Sequence, residues 1–190
     1  MAKFTRDGDW VASLGEPGSG KLGNLNTPHT IANDAKGNIY VGDRGNRRIQ
    51  VIDPKTNQFV REIKIDVPAP ADAQPWMGAK PDVARLLAPD APPGSATMAP
   101  GAPWALCVTP PNASGQQFLY SSDAGGKIYK EDLEGHLLGW FGTIGKRVGQ
   151  FYWVHEMHCV SENELYTGEA QNWRVQHITL HPSAMKATGK

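Results

Sequence analysis

Residues 28–52 read PHTIANDAKGNIYVGDRGNRRIQVI. Three short runs rich in Ile, Val and Tyr (HTIAND, NIYVGD and RRIQVI) are parted by the turn-forming Lys36-Gly37-Asn38 and Gly45-Asn46. Side chains of this kind suit a pleated surface, and punctuation this close leaves room only for tight turns. The stretch is therefore expected to fold as an antiparallel meander.

The pattern returns at 154–178 as VHEMHCVSENELYTGEAQNWRVQHI, with His29 and His155, Tyr40 and Tyr166, and Gln50 and Gln176 each 126 residues apart. A weaker copy lies between them: PWALCV from Pro103, FLYSSD from Phe118 and KIYKED from Lys127. One four-stranded unit per repeat is the mark of a β-propeller. The expected fold is all-β, with about three four-stranded blades and a long Pro-rich insertion.

Composition agrees. The chain has 190 residues, 21 of them Gly and 15 Pro, and its 19 basic and 19 acidic residues balance. A neutral chain offers no electrostatic reason to expect a nucleic acid or an anionic membrane surface as partner. No apolar run approaches the length of a membrane span. Met1-Ala2-Lys3-Phe4 leads into a polar strand, so no signal peptide is expected, and the compartment stays open. Cys107 and Cys159 are too few for a disulfide framework, and both lie in apolar strand contexts, where buried free thiols are expected.

In chain order, 3–14 reads as a hairpin about Asp7-Gly8, the outer part of a blade. Gly15 to Leu22 (GEPGSGKL) nearly spells a phosphate-binding loop. However, Leu22 stands where Ser or Thr would hold magnesium, and no helix pattern follows, so an inter-blade loop is expected. One blade spans 24–65 and ends in Gln58–Ile63. Residues 67–103 then carry nine of the fifteen prolines, with a helical turn expected only at Asp82 to Leu87. This segment is read as a long loop over one face, either a lid or a passive insertion. A second blade covers 103–142 and a third 150–180, with three clear strands and a polar tail after Leu180. The Asn112-Ala113-Ser114 sequon is too common a pattern to decide anything. Three blades cannot close a ring, since propellers start at about four. The expectation is half of a six-bladed propeller, read first as a truncated chain and alternatively as two copies paired head to tail.

Aligning the repeats at Pro28, Pro103 and Val154 places His29, Trp104 and His155 at equivalent positions of the innermost strands. Such positions ring the axis of a propeller. Two imidazoles from alternate blades, with a third two blades upstream, would suit a zinc ion with an open fourth position. Histidines that merely line the channel are the alternative. His155-Glu156-Met157-His158 is not a zincin motif: its histidines are three apart on a strand, so they face oppositely. His158 aligns with Ala32 and Cys107, which suggests packing, and His136, His177 and His181 are given no role.

These residues carry a resemblance. PHTIANDAKGNIYVGDRGNRRIQVID resembles an NHL repeat, and in this variant it looks like the peptidyl-α-hydroxyglycine α-amidating lyase family. The most specific part is Asp43-Arg44-Gly45-Asn46-Arg47-Arg48-Ile49-Gln50 followed by Phe59–Ile63. The likeness covers nearly all of the chain except 67–103. It implies a six-bladed propeller that cleaves a peptidyl-α-hydroxyglycine to a peptide amide and glyoxylate, with axial zinc held by three histidines and a structural calcium nearby. His29 and His155 match two of the zinc histidines. Glu156 falls where the family has an acidic calcium ligand, usually Asp, and Arg44 matches an arginine implicated in catalysis. Val154 replaces the usual proline, and the third histidine and the catalytic tyrosine would belong to blades upstream. Relatives of this type are mostly exported.

By that resemblance the complete molecule would be a lyase, whereas this chain alone, with two metal ligands and no candidate base, is not expected to catalyse. A non-enzymatic NHL scaffold binding a peptide, protein or small ligand is the second class. RNA binding would need a basic face, which zero net charge does not favour.

Overall fold

The computed structural model describes residues 1–67, 88–90 and 95–181. The turn expected at Asp82 to Leu87 and most of the Pro-rich segment lie outside the described residues. The rest is all-β apart from 3-10 turns at Arg44–Asn46 and Ser95–Met98. β1 (Ala2–Phe4) and β2 (Trp10–Ser13) pair as a hairpin, and the short β3 (Glu16–Pro17) runs parallel to β4 (Asn24–Leu25). Three antiparallel meanders follow. The first sheet orders β5 (Pro28–Asn33), β6 (Ile39–Asp43), β7 (Arg48–Asp53) and β8 (Gln58–Ile63). The second orders β9 (Leu106–Val108), β10 (Phe118–Ser122), β11 (Ile128–Asp132) and β12 (Leu137–Phe141). The third has β13 (Val154–Ser161), β14 (Glu164–Glu169) and β15 (Arg174–Thr179).

The sheets stack face to face. Tyr40, Ile49 and Val51 of the first meet Leu106, Leu119 and Tyr129 of the second. Phe118, Tyr120 and Ile128 of the second meet Met157, Cys159 and Leu165 of the third. Leu14, just after β2, and Leu25 of β4 cover Val41 and Ile52 on the other side of the first sheet. Strand alternation makes this possible, because each sheet shows one apolar set to each neighbour.

The most specific run of the sequence forms a buried polar clamp. Asp43 Oδ2 accepts hydrogen bonds from Arg48 Nε at 2.9 Å, Gln50 Nε2 at 2.8 Å and Asn46 Nδ2 at 2.8 Å, and Asp43 Oδ1 accepts one from the Asn26 amide at 2.7 Å. The third sheet repeats it: Glu169 takes Arg174 Nε and Gln176 Nε2 at 2.7 Å, Asn172 Nδ2 at 2.5 Å and the Tyr152 amide at 2.9 Å. The Gly15–Leu22 loop is held by the same clamp. Its Gly20 and Lys21 carbonyls accept from the Arg48 guanidinium at 3.2 and 2.9 Å, so carbonyl oxygens, not amides, line it. That is the opposite of a phosphate cradle.

The end of the Pro-rich segment packs down beside the first and second sheets. Pro100 O accepts two hydrogen bonds from Arg47, and the Gly101 amide donates to Asp123 Oδ2 at 3.1 Å. Gly101 has φ +76°, and a Cβ there would stand 2.2 Å from the Ile65 carbonyl oxygen, so only glycine fits.

The expected free thiols are not found: Cys107 and Cys159 form a disulfide. Stacking sets β9 beside β13, and the two Cα atoms stand 5.7 Å apart, well inside bridging range. The repeat makes β9 and β13 neighbours, but it aligns Cys107 with His158 rather than with Cys159, so spacing along the chain does not show that the two sulfurs meet. His158, expected to pack, is exposed on β13. Cross-linking 52 residues should contribute about 3–4 kcal/mol, mainly by restricting the unfolded chain. The double variant Cys107→Ala/Cys159→Ala should lose that much in urea unfolding, and reductant should no longer shift its midpoint. An unchanged midpoint would rule the bridge out as a stabiliser.

Candidate functional site

His29, Trp104, His155 and Arg44 converge at the inner ends of the three sheets. The His29 and His155 rings are 4.6 Å apart, centroid to centroid, at 69°. Trp104 stands 5.3 Å from His29 and 6.0 Å from His155. The Arg44 guanidinium carbon lies 4.0 Å above the Trp104 ring centroid. Each arrives by its place in the repeat. His29 lies on β5, Trp104 just before β9, and His155 on β13 at a register shift between Val154 and Glu156. The shift leaves His155 and Glu156 both exposed. Arg44 opens the turn after β6, beside the buried clamp at Asp43. Gly42 gives the second sheet its close approach. A Cβ there would be 2.6 Å from Thr30 Cγ2 and 3.4 Å from Pro103 Cβ.

His29 Nδ1 lies 2.6 Å from the Trp104 carbonyl oxygen. A carbonyl can only accept, so Nδ1 carries the proton and Nε2 keeps its lone pair. Desolvation lowers the His29 pKa below its usual 6.5, opposed by the Trp104 carbonyl and Glu156 and aided by Arg44 and His155. The ring is therefore neutral near pH 7. A neutral imidazole whose other nitrogen is anchored to a backbone carbonyl is the arrangement metal-binding histidines use. These two imidazoles fit zinc chemistry as donors. Among the described residues no group of three His, Cys, Asp or Glu is placed to share an ion. Glu156 stands next to His155, and its Oε1 accepts from the Met157 amide at 3.1 Å.

Arg44 differs from the two arginines after it. Arg48 is locked in the clamp and Arg47 reaches Pro100, but Arg44 Nε is buried with no hydrogen-bond partner among the described residues. Burial lowers its pKa. A stacked guanidinium with an unused donor suits a planar carboxylate.

The structure thus brings His29, His155 and Arg44 together around Trp104, with Glu156 at the margin. Sequence reasoning gave no part to Trp153, whose ring lies 5.0 Å from that of Trp104 and extends the aromatic wall. Its only signal was an aromatic residue two positions before His155. The loop's contribution was also missed: buried Thr97 accepts the Trp104 indole N–H at 2.7 Å and fixes that ring.

Comparison with known proteins bears on the fold. Residues 25–52 match the model of the NHL repeat. NHL repeat-containing protein 3 of Mus musculus is 37% identical over 60 residues, 32% of this chain and 17% of that protein, and its Homo sapiens counterpart is the same. Among solved structures, virginiamycin B lyase from Staphylococcus aureus aligns over 95% of this chain and 48% of its own, at 12% identity and TM-score 0.51. Myxococcus xanthus glutaminyl cyclase aligns over 83% of this chain and 50% of its own, at 16% identity and TM-score 0.50. At these identities the likeness concerns the fold alone, which is all-β and propeller-like with an NHL repeat. This chain spans half or less of each of these proteins.

Proposed function

We propose that the chain is part of an NHL-type six-bladed propeller whose axial site is of the zinc-dependent peptidyl-α-hydroxyglycine α-amidating lyase type. The three stacked sheets are its blades. The observation that carries the reading is the His29–His155 pair, with His29 Nδ1 spent on Trp104 and Nε2 left to bind. His29 and His155 would hold zinc, which when bound would polarise a hydroxyl or carboxylate of the substrate. Arg44 would receive the substrate carboxylate through its fork, and Trp104 beneath it would keep water away from that pair. Glu156 is the chain's candidate acidic ligand for a nearby calcium. No residue of the described site supplies the base, so the reaction would need the rest of the ring. The disulfide supports an oxidising compartment, as for exported relatives. Neither a nucleic acid nor a membrane is proposed as partner.

Zinc titration of the purified chain tests this. Substituting either histidine with alanine, His29→Ala or His155→Ala, should weaken binding at least about tenfold, because each removes one of two donors. Because the His29 pKa is depressed, protons should compete with zinc at this ligand only below its usual 6.5. Zinc affinity unchanged in both variants would remove the metal reading. The second reading, a scaffold binding a peptide or small ligand without metal, is favoured by the Arg44 guanidinium, stacked on Trp104 with a buried Nε that has no partner among the described residues. It predicts ligand binding that depends on Arg44 and Trp104 but not on zinc.

A further inference from the structure

The repeat allows each inter-sheet seat to be compared with its equivalent, and among the described residues one is bare. On the face of the first sheet that meets the second, Tyr40, Ile49 and Val51 are at most 1% exposed. The residues 126 positions later, on the same face of the third sheet, are Tyr166, Val175 and His177. They are 39%, 70% and 49% exposed. Trp173, equivalent to the Arg47 that reaches the Pro-rich segment, is 92% exposed. Gly42 is roofed by Pro103, whereas a Cβ on Gly168 would meet nothing nearer than Glu156 Cβ at 3.8 Å. A shallow depression open to solvent lies there, against His155, Glu156, Gly168 and Val175.

The occupant of the covered seat shows what would fill the bare one. It is a sheet whose inner strand begins Pro103-Trp104-Ala105-Leu106, with Leu106 2% exposed against the first sheet. The first sheet begins Pro28-His29-Thr30-Ile31, and Ile31 holds the register position of Leu106: it pairs with Val41 as Leu106 pairs with Ser121. Ile31 is 61% exposed. The rest of that face is covered, Val41 and Ile52 by Leu14 and Leu25, so the chain carries a bare seat at one end of the stack and, at the other, a plug bare only along its inner strand, at Ile31.

We infer that the bare face of the third sheet docks the first sheet of a second copy of this chain, Ile31 and Pro28 seating against Val175 and Gly168. Seat and plug differ, so the contact is head to tail, and two copies close it twice. Two copies contribute six sheets, within the range of closed propellers. The ring would set His29 of the partner subunit beside His155, adding imidazoles that one copy lacks. This rests on the propeller reading of the proposed function, but not on its metal.

The test is sedimentation velocity of the full chain, with the variants Gly168→Val and Ile31→Glu. Gly168 has open space around its Cβ and Ile31 is already exposed, so both variants should keep the far-UV circular dichroism and melting temperature of the parent. The parent is expected to be a dimer, and each variant a monomer at concentrations that leave the parent paired. A parent monomeric at about 100 µM, an open-ended series of oligomers, or variants that pair like the parent would each overturn the inference. Zinc titration of monomeric Gly168→Val keeps the two readings apart. Zinc bound through His29 and His155 of one copy preserves the metal site whatever happens to the dimer.

Discussion

Asp43→Ala is expected to destabilise the chain by about 3–5 kcal/mol, the range for removing one partner of a buried charge network. Asp43 is fully buried and Arg48 is 3% exposed, so little water can replace what is lost. The substitution removes acceptors from Arg48 Nε, Gln50 Nε2, Asn46 Nδ2 and the Asn26 amide together. Arg48 would keep Glu62 at 2.7 Å and the carbonyls of Gly20, Lys21 and Asn24, which is why the loss stops short of unfolding outright. The damage should reach the site as well, since Arg44 begins the turn that Asp43 anchors. Glu169→Ala, in the same position of the third sheet, should cost less because its partner Arg174 is 25% exposed. Urea unfolding of the two variants checks the order. Equal losses would mean that exposure of the arginine does not set the cost, and an Asp43→Ala loss below about 1 kcal/mol would mean the clamp is not a stability element.

Glu131→Gln is expected to stabilise the chain above pH 8 and leave it nearly unchanged in acid. Glu131 is buried in the second sheet, where Ser121 donates to one oxygen at 3.1 Å and the other has no partner. Burial pushes its carboxyl up to about 8 from 4.5, against the Ser121 hydrogen bond. The folded state thus holds a proton that the unfolded chain releases. Below about 4.5 both states are protonated and there is no penalty. Between about 4.5 and 8 stability falls as pH rises, and above that the loss is constant. At roughly 1.36 kcal/mol per pH unit, the full loss is on the order of 5 kcal/mol. Glutamine keeps the shape and the Ser121 contact but cannot ionise, so the stability of Glu131→Gln should be flat across that window. A parent whose stability does not decline from pH 5 to pH 8 would rule out this account.

How far the sequence carries can be read residue by residue. Pro28–Ile52 determined the meander, because alternating Ile, Val and Tyr between Asn- and Gly-bearing turns can bury only one face per strand parity. The 126-residue repeat placed His29 and His155 at equivalent ends of two sheets, and in the structure their rings are 4.6 Å apart. The run Asp43 to Gln50 was legible as the most specific feature. Its main work is structural, though, since Asp43, Asn46, Arg48 and Gln50 bond to one another and only Arg44 is left for the site. These are local relations, fixed by spacing along one strand or one turn, and so they survive in the sequence alone.

What lies between sheets was decided only by the tertiary structure. How neighbouring inner strands meet sets the Cys107–Cys159 bridge, the roof of Pro103 over Gly42 and the stacking of Trp153 on Trp104. Burial also depends on neighbours rather than on residue type. Tyr40 and Tyr166 occupy the same place in the repeat, yet one is 1% exposed and the other 39%, because a sheet covers the first and not the second. A strand's pattern states which face wants cover, and only packing states what covers it.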